Sequence, residues 1–310
     1  MQTKLKLFFA VFIISWSSIL IRWIGPLDPL IISFYRLFFS ALILLPFTKP
    51  PVLQSLSGFV KLKNPTLFAK PSRIRKIKSP VPSHWPLLLA AGLLLALHFY
   101  AWIASLQITT VARSIFLEST HPIFAVILSA LFLKEKAPKA FLPALFLGLS
   151  GMYLTVHQDI ASSHSALFGD SLALFSAFCM AAYLVIARRI GNDIPLLRYL
   201  FFVYSAAAFF LLSVLLYKGI PFWNLSATVW GLLLLLSGGP NLTGHSLLNW
   251  ASRRMPVYLV NMALLLESVL ATAMAAVFFY EIPDTLFLFG ALLILCSIGW
   301  VFLSGRKNYN

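Results

Sequence analysis

The sequence predicts an all-α integral membrane protein with ten transmembrane helices, arranged as two inverted five-helix repeats. The composition is the first observation behind this prediction: 60% of the 310 residues are hydrophobic and 11% are charged, too little polar surface to cover a water-soluble globule. The second is that the apolar residues form runs of about twenty, enough to cross a hydrocarbon core about 30 Å thick. The third is that two stretches of the chain resemble each other. A soluble enzyme, a disulfide scaffold and a disordered chain are excluded.

Ten apolar runs are candidate spanning helices. The first run follows Lys4 and Lys6, but it is too long for a signal peptide and no small-residue cleavage site follows it, so we expect it to remain as a span. The runs lie near residues 7–24, 30–47, 86–106, 111–133, 139–156, 169–187, 197–217, 228–250, 257–280 and 285–304.

The basic residues predict the orientation of the chain, because Lys and Arg collect in loops that stay in the cytoplasm. With a cytoplasmic N-terminus, all but four of the 24 Lys and Arg residues fall in cytoplasmic segments. The exceptions are Arg22, Arg36, Arg113 and Lys218. The pattern predicts that both termini are cytoplasmic, and it explains the formal charge of +15 without a nucleic acid partner.

One connection is long and strongly basic. Segment 48–85 carries eight Lys or Arg residues, no acidic residue and several prolines, so it cannot bury a core. We expect a variable cytoplasmic loop, or a short amphipathic segment on anionic lipid head groups. A regulatory contact is the functional alternative.

The internal similarity relates residues 98–152 to residues 245–299 almost without gaps. It divides the chain into a first repeat, 1–158, and a second repeat, 159–310. Five helices is an odd number, so the second copy enters the membrane in the opposite orientation. Inverted pairs have their substrate site near the bilayer midplane and expose it alternately to the two sides. The pattern therefore indicates a transporter.

Polar residues within the apolar runs mark the expected substrate pathway, because a charge at the centre of a spanning helix costs roughly 3 kcal/mol on insertion scales. Glu118 and His121 share one face of the fourth predicted helix, and His121 and Glu267 are equivalent in the repeat, about 15 Å deep at 1.5 Å per residue. The predicted pathway residues are Trp16, Arg36, His98, Trp102, Glu118, His121, Tyr183, Asn241, His245, Asn249 and Glu267.

These residues suggest separate roles around one midplane cavity. Trp16 and Tyr183 are expected to form aromatic walls. Arg36 and Arg113 are expected to attract an anionic group or to pair with Glu118. Glu118 and Glu267 are the candidate proton-sensitive groups, because a low dielectric disfavours the charged form of a carboxyl group.

Purely structural roles are the alternatives. A buried His or Asn can serve only as an interhelical contact, worth about 0.6 kcal/mol on average, which applies to His98, Asn241 and Asn249. The tryptophans can be packing residues. Glu135, which precedes a lysine at a helix end, is expected to be a solvated turn residue, and Arg22 is expected to reach the outer interface.

Motifs for other chemistry are missing from the sequence. There is no metal-binding His-Glu-x-x-His or Cys-x-x-Cys pattern, no phosphate-binding glycine loop and no nucleophile elbow. Cys179 and Cys296 both lie within apolar runs, where they act as small hydrophobic residues. We therefore expect no enzymatic activity, no cofactor, no metal site and no use of ATP.

Several short segments recur in a characteristic order and spacing: Trp16-Ser17-Ser18 with Arg36, residues 97–106, Pro122 through Glu135, Gly169-Asp170, and residues 244–250. Together they resemble the EamA-type branch of the drug/metabolite transporter superfamily, and the resemblance covers nearly the whole chain outside 48–85. Many relatives have Gly-Glu-Pro in the ninth helix, where this chain has Leu266-Glu267-Ser268, so the residues that would weaken the helix are missing.

The resemblance implies a secondary transporter, often an exporter of amino acids or other small metabolites. We therefore predict a multi-pass protein of a bacterial inner membrane that exports a small polar or zwitterionic metabolite by alternating access, with protons as the candidate coupling ion. The alternative is a multidrug exporter of lipophilic cations. A membrane enzyme or lipid-handling protein is a further alternative, which would need a nucleophile, a metal site or a lateral opening to lipid. Monomer and homodimer both remain open.

Overall fold

Ten helical stretches account for most of the residues that the computed structural model describes, namely 2–48, 81–109, 111–161, 167–280 and 285–304. Within these ranges there is no β-strand. The stretches are α1 (Gln2–Ile24), α2 (Pro29–Thr48), α3 (Val81–Ile108), α4 (Val111–Glu118, His121–Leu128 and Ser129–Leu133), α5 (Phe141–Ala161), α6 (Leu167–Ile190), α7 (Leu196–Lys218), α8 (Ala227–Leu236, Ser237–His245 and Ser246–Ser252), α9 (Val257–Leu264 and Leu266–Phe279) and α10 (Thr285–Ser304).

The helices agree with the ten predicted apolar runs to within a few residues at most ends. Among the described residues, eight of them are long and apolar enough to cross a membrane, all except α5 and α8. In α5 the apolar part covers only Phe141–Thr155. In α8 the continuous α-helix is interrupted by a π-helical segment that contains Gly238, Gly239 and Pro240. Proline has no N–H to donate to the preceding turn, so Pro240 removes one hydrogen bond of a regular α-helix at this position.

Large apolar side chains cover the outside of the bundle. The side chain of Phe146 is 75% exposed, that of Phe209 66% and that of Leu288 64%, and many other large apolar side chains are also exposed. In water such a surface would drive association, whereas in a lipid bilayer it is the surface that the surrounding hydrocarbon requires. The polar residues instead lie inside, so the distribution is that of a membrane protein.

The helices pack in pairs that bring the two halves of the chain together. Helix α3 packs along α6, and α8 packs along α1; α2 packs along α7, and α5 along α10. The α5–α10 contact depends on Gly151 and Gly290, because a Cβ atom on either would collide with the backbone of the other helix. Nearby, Ser297 donates a hydrogen bond to the carbonyl of Ala144 at 2.5 Å. Small residues of this kind let two membrane helices approach closely.

Two of the helices are interrupted where the predicted pathway residues lie. In α4 the break at Ser119 and Thr120 precedes His121 and Pro122, and the proline leaves the carbonyl of Glu118 without its usual donor. In α9 the break is at Leu265, two residues before Glu267.

The break in α9 occurs although the glycine and proline of many relatives are missing. Here the Ser268 hydroxyl donates to the carbonyl of Leu265 at 2.9 Å. A serine that bonds back to the preceding turn is known to bend helices, so it takes over part of the role of a proline.

Some of the predictions fall outside the described residues. Most of the basic segment 48–85 does so, as do the last six residues, 305–310, which carry the C-terminus expected in the cytoplasm.

Candidate functional site

A small cavity lies where seven of the helices converge, α1 to α4, α6, α8 and α9. The volume open to the centre of a water molecule is about 20 Å³, room for about one or two waters. A metabolite needs several times this space, so the cavity is too small to hold one in this conformation. The lining residues are Ile14, Ser17, Arg36, His98, Phe99, Trp102, Glu118, Met180, His245, Leu264 and Glu267.

Arg36, on α2, supplies the cation of the cavity and is only 1% exposed. Its Nε donates to Oδ1 of Asn241 at 3.2 Å, and its Nη2 donates to the hydroxyl of Ser17 at 3.4 Å. The guanidinium carbon lies 3.9 Å from the centre of the Phe99 ring, a cation–π contact. Several neutral groups therefore hold the arginine in one orientation.

Asn241 lies behind Arg36 and does not line the cavity. Its Nδ2 donates to the hydroxyl of Ser40 at 2.8 Å and to the carbonyl of Arg36 at 3.3 Å. The π-helical segment of α8 carries Asn241 and so positions it against α2. The predicted pathway residue acts on the cavity through Arg36.

Two histidines face the cavity from α3 and α8. Nδ1 of His98 lies 3.2 Å from the carbonyl of Ser176 on α6 and 2.9 Å from its hydroxyl. A carbonyl can only accept, so this contact assigns the ring proton to Nδ1 and leaves Nε2 as an acceptor. The ring of His245 lies edge-on to Phe99, with centroids 5.2 Å apart, and among the described residues its Nδ1 has no hydrogen-bond partner.

The acidic residues Glu118 and Glu267 line the same cavity. Glu118 is the last residue of the first segment of α4, and Glu267 lies in the first turn of the second segment of α9. Neither forms an ion pair with another residue of the described ranges. Both helix breaks thus place at the wall of the cavity a carboxyl group that forms no ion pair within the described part of the chain.

The remaining predicted pathway residues lie outside the lining in this conformation. Trp16 packs against the ring of Phe278, with centroids 5.3 Å apart, and His121 is buried at the start of the second segment of α4. The Tyr183 hydroxyl accepts a hydrogen bond from Nδ2 of Asn249 at 2.6 Å, which joins α6 to α8. The polar residues of α8 thus extend past the cavity into the interface between helices.

Two expected side-chain environments are corrected by the structure. Arg113 does not pair with Glu118; it forms an ion pair with Asp170, whose Oδ1 also accepts from the Thr109 hydroxyl at 2.9 Å. The reason is that α4 and α6 begin at the same end of the bundle, so Arg113 meets the first turn of α6. Glu135 is not a solvated turn residue, since it accepts from Nε of Arg188 at 2.8 Å.

Sequence reasoning missed several lining residues. Ser17 lies in a segment that carries the resemblance, beside Trp16, and its polarity within an apolar run is a usable signal. Phe99 follows His98 directly, but nothing in the pattern separates it from packing aromatics. Met180 and Leu264 are apolar residues in apolar helices, so only the packing of the helices identifies them.

Comparisons with known proteins agree with the resemblance seen in the sequence. The sequence model of the EamA-like transporter family matches residues 3–157 and 167–303. The chain is 28% identical to the pseudopaline exporter CntI of Pseudomonas aeruginosa, in each of two strains, over 220 residues that cover 68% of this chain and 73% of that protein. A crystal structure described only as that of a protein superposes with a TM-score of 0.76, at 16% identity, over 100% of this chain and 99% of that chain, which supports the fold alone.

Proposed function

Because the chain belongs to the EamA-like transporter family, whose model matches almost its whole length, we propose that it exports small metabolites such as amino acids by alternating access. The observation that carries the proposal is the cavity between seven helices, lined by one buried guanidinium, two carboxyl groups and two histidines. Charged side chains inside a membrane are costly and occur mainly along substrate or ion pathways. The similarity to a pseudopaline exporter supports outward movement.

Two inverted repeats, 1–158 and 159–310, are part of this proposal. The breaks in α4 and α9 support it, since they precede residues that the sequence repeat aligns. Both helices also end in a residue with left-handed backbone, Lys134 with φ 57° and Tyr280 with φ 59°. Such a conformation is uncommon in residues other than glycine, so its recurrence beside Glu135 and at the matching end of α9 favours a common origin.

The packing of the helices supports the same division. A twofold relation between the repeats exchanges α1 with α6 and α3 with α8, so the α3–α6 contact corresponds to the α8–α1 contact. It also pairs α2 with α7 and α5 with α10, and each of these pairs is in contact. The orientation that we propose has both termini in the cytoplasm of a bacterial inner membrane, as the distribution of basic residues favours.

Alternating access requires that the cavity open toward one side at a time. Two ion pairs, Arg113–Asp170 and Arg188–Glu135, join α4 to α6. Asp170 and Arg188 are eighteen residues apart on α6, about 27 Å at 1.5 Å per residue. The pairs therefore close opposite ends of the same helix pair, and we propose that one breaks when the cavity opens outward and the other when it opens inward.

Proton linkage is the second part of the proposal, and it depends on Glu118 and Glu267. A buried carboxyl group that is held in no ion pair exchanges its proton when water enters the cavity, so its charge can change during the transport cycle. Glu267 lies in the first turn of a helical segment, directly after the break at Leu265. We therefore propose that Glu267 is the main coupling residue.

Flux into proteoliposomes tests both parts. Purified protein is reconstituted, and uptake of radiolabelled amino acids is measured with and without a pH gradient. The wild-type protein is expected to show counterflow and a rate that rises with the gradient. Glu267→Gln is expected to keep counterflow but to lose the response to the gradient. If amino acids show no counterflow, the metabolite proposal is wrong, and if Glu267→Gln still responds to the gradient, Glu267 is not the coupling residue.

Lipophilic cations are the alternative substrates, favoured by Phe99 and Trp102 together with the two carboxyl groups at the cavity. Arg36 opposes this alternative, since a guanidinium stays charged and repels a cation that lacks an anionic group. Counterflow of ethidium in the same vesicles, without counterflow of amino acids, would favour the multidrug function.

A further inference from the structure

The cavity holds a guanidinium nitrogen that has no partner. Among the described residues, Nη1 of Arg36 is buried and makes no hydrogen bond, whereas Nε and Nη2 are both engaged. An unsatisfied buried donor is unfavourable, and more so when it belongs to a charged group. Nη1 is therefore a hydrogen-bond donor that a bound ligand could satisfy.

The groups that hydrogen-bond to Arg36 are neutral, and Glu267, which attracts its charge across the cavity, forms no ion pair with it. Asn241 and Ser17 bind it through oxygen atoms, and Phe99 contributes the face of its ring. No carboxylate of the described ranges forms an ion pair with it. A buried charge is stable when it is both paired and hydrogen-bonded, so an anion bound at Nη1 would supply what this site lacks.

Other walls of the cavity carry acidic residues, whose charge when ionised is opposite to that of Arg36. Glu118 comes from α4 and Glu267 from α9, whereas Arg36 comes from α2. An anion without a positive group would meet repulsion from the acids, and a cation without a negative group would meet repulsion from the arginine. A molecule that carries both charges satisfies both walls at once.

We infer, resting on the proposed function, that the substrate is a zwitterion whose carboxylate binds Nη1 of Arg36 and whose ammonium group faces Glu118 and Glu267. Trp102, Met180 and Leu264 then surround the rest of the molecule, so uncharged apolar side chains fit best. Arg36 is the residue that determines specificity for the carboxylate, and Asn241 is a positioning residue that holds the guanidinium in place.

Binding of matched compounds to the purified full-length protein tests the inference. One set is phenylalanine, phenethylamine and 3-phenylpropionic acid, and a second is leucine, 3-methylbutylamine and 4-methylpentanoic acid. Each set keeps one side chain and removes the carboxylate or the ammonium group. For the wild-type protein we expect removal of either group to weaken binding about tenfold or more, the scale of a charge-assisted hydrogen bond. If the amine binds as tightly as the amino acid, the inference is overturned, and this comparison needs no variant.

Two variants locate the effect at Arg36. In Arg36→Gln the amino acid is expected to lose its advantage over the amine, and Arg36→Lys is expected to recover part of it, since lysine keeps the charge without the planar fork. Arg254→Gln is the matched control, because Arg254 is exposed and lies over Trp250 away from the cavity; it should bind as the wild type does. Retained discrimination in a folded Arg36→Gln protein would overturn the role of Arg36.

Failure of the proposed function gives a different result. If the wild-type protein binds neither amino acids nor their carboxylate analogues but does bind ethidium, the proposal of a metabolite exporter fails together with the inference. If amino acids show counterflow while their amines bind equally well, the export function stands and only the carboxylate site is wrong.

Discussion

Nε of Arg188 lies 2.8 Å from Oε1 of Glu135 and ties the end of α4 to the end of α6. The pair between Arg113 and Asp170 ties the beginnings of the same two helices. Two helices that run in the same direction are thus fastened at both ends, on either side of the cavity. In the cycle that we propose, opening the cavity at one end requires one of the pairs to separate.

Loss of the Glu135–Arg188 pair is expected to open the cavity from its proposed cytoplasmic end. The pair is only partly exposed, so Glu135→Gln should cost the closed conformation about 1–2 kcal/mol, or roughly tenfold in the equilibrium. Ser17 lines the cavity and is 1% exposed, so a cysteine at this position reports opening. The measurement is labelling of Ser17→Cys by a membrane-impermeant thiol reagent, in a Cys296→Ser background.

The matched control for this prediction is Asp170→Asn, which removes the pair at the opposite end. Labelling in inside-out vesicles should rise with Glu135→Gln and not with Asp170→Asn, and the reverse should hold in right-side-out vesicles. Equal labelling of both variants from one side would show that the two pairs do not act at opposite ends.

Packing of α5 against α10 is expected to depend on the absence of a side chain at Gly151. A Cβ atom there would meet the carbonyl of Gly290 and the Cβ of Leu293, and such overpacking typically costs about 1–3 kcal/mol. Gly151→Ala should therefore lower the thermal unfolding temperature of the protein in detergent.

Gly299, on α10, provides the control, because a Cβ added there meets nothing within 4 Å. Gly299→Ala is expected to leave the unfolding temperature unchanged or to raise it, since alanine is the better helix former by about 1 kcal/mol. The packing described for these helices would be contradicted if Gly299→Ala lowered the unfolding temperature and Gly151→Ala left it unchanged.

A proline is expected to be tolerated at Ser268. This residue lies in the first turn of the second segment of α9, where backbone N–H groups have few partners within the helix and a proline fits. Ser268→Pro should change the free energy of unfolding by less than about 1 kcal/mol, while Ala275→Pro, in the interior of the same segment, should cost about 3 kcal/mol or more. Reversible unfolding in mixed micelles measures the free energy of unfolding of both variants. If both lose the same amount, α9 is continuous at Leu265 and the prediction is wrong.

Several residues of the site follow from sequence alone, and for one reason. Arg36, His98, Glu118, His245 and Glu267 are polar or ionisable within apolar runs, and such groups must face the interior of a membrane protein wherever the helices are packed. Their location inside the bundle was therefore predictable without coordinates, whereas their sharing of one cavity was not, since His121 and Asn249 fit the same pattern and lie outside the lining. Trp16 and Tyr183 were predicted on weaker grounds, because an aromatic residue is stable in a wall of a cavity, in a helix interface and at the membrane surface alike.

The partners of the charged residues needed the structure. Asp170 and Arg113 are far apart in sequence and lie on different helices, so nothing in the local pattern relates them. The same holds for Glu135 and Arg188. The order of the helices in space determines which ends meet, and this order is a property of the packed bundle.

By itself the sequence determined that the chain spans a membrane, where its helices begin and end, and which residues face inward, because the transfer of each side chain into lipid depends mainly on that side chain and its neighbours in the helix. Only the tertiary structure decided that Asn241 holds Arg36, that Arg113 binds Asp170, and that the cavity is too small for a metabolite in this conformation. These are contacts between distant helices, whose geometry depends on the close packing of small residues such as Gly151 against Gly290.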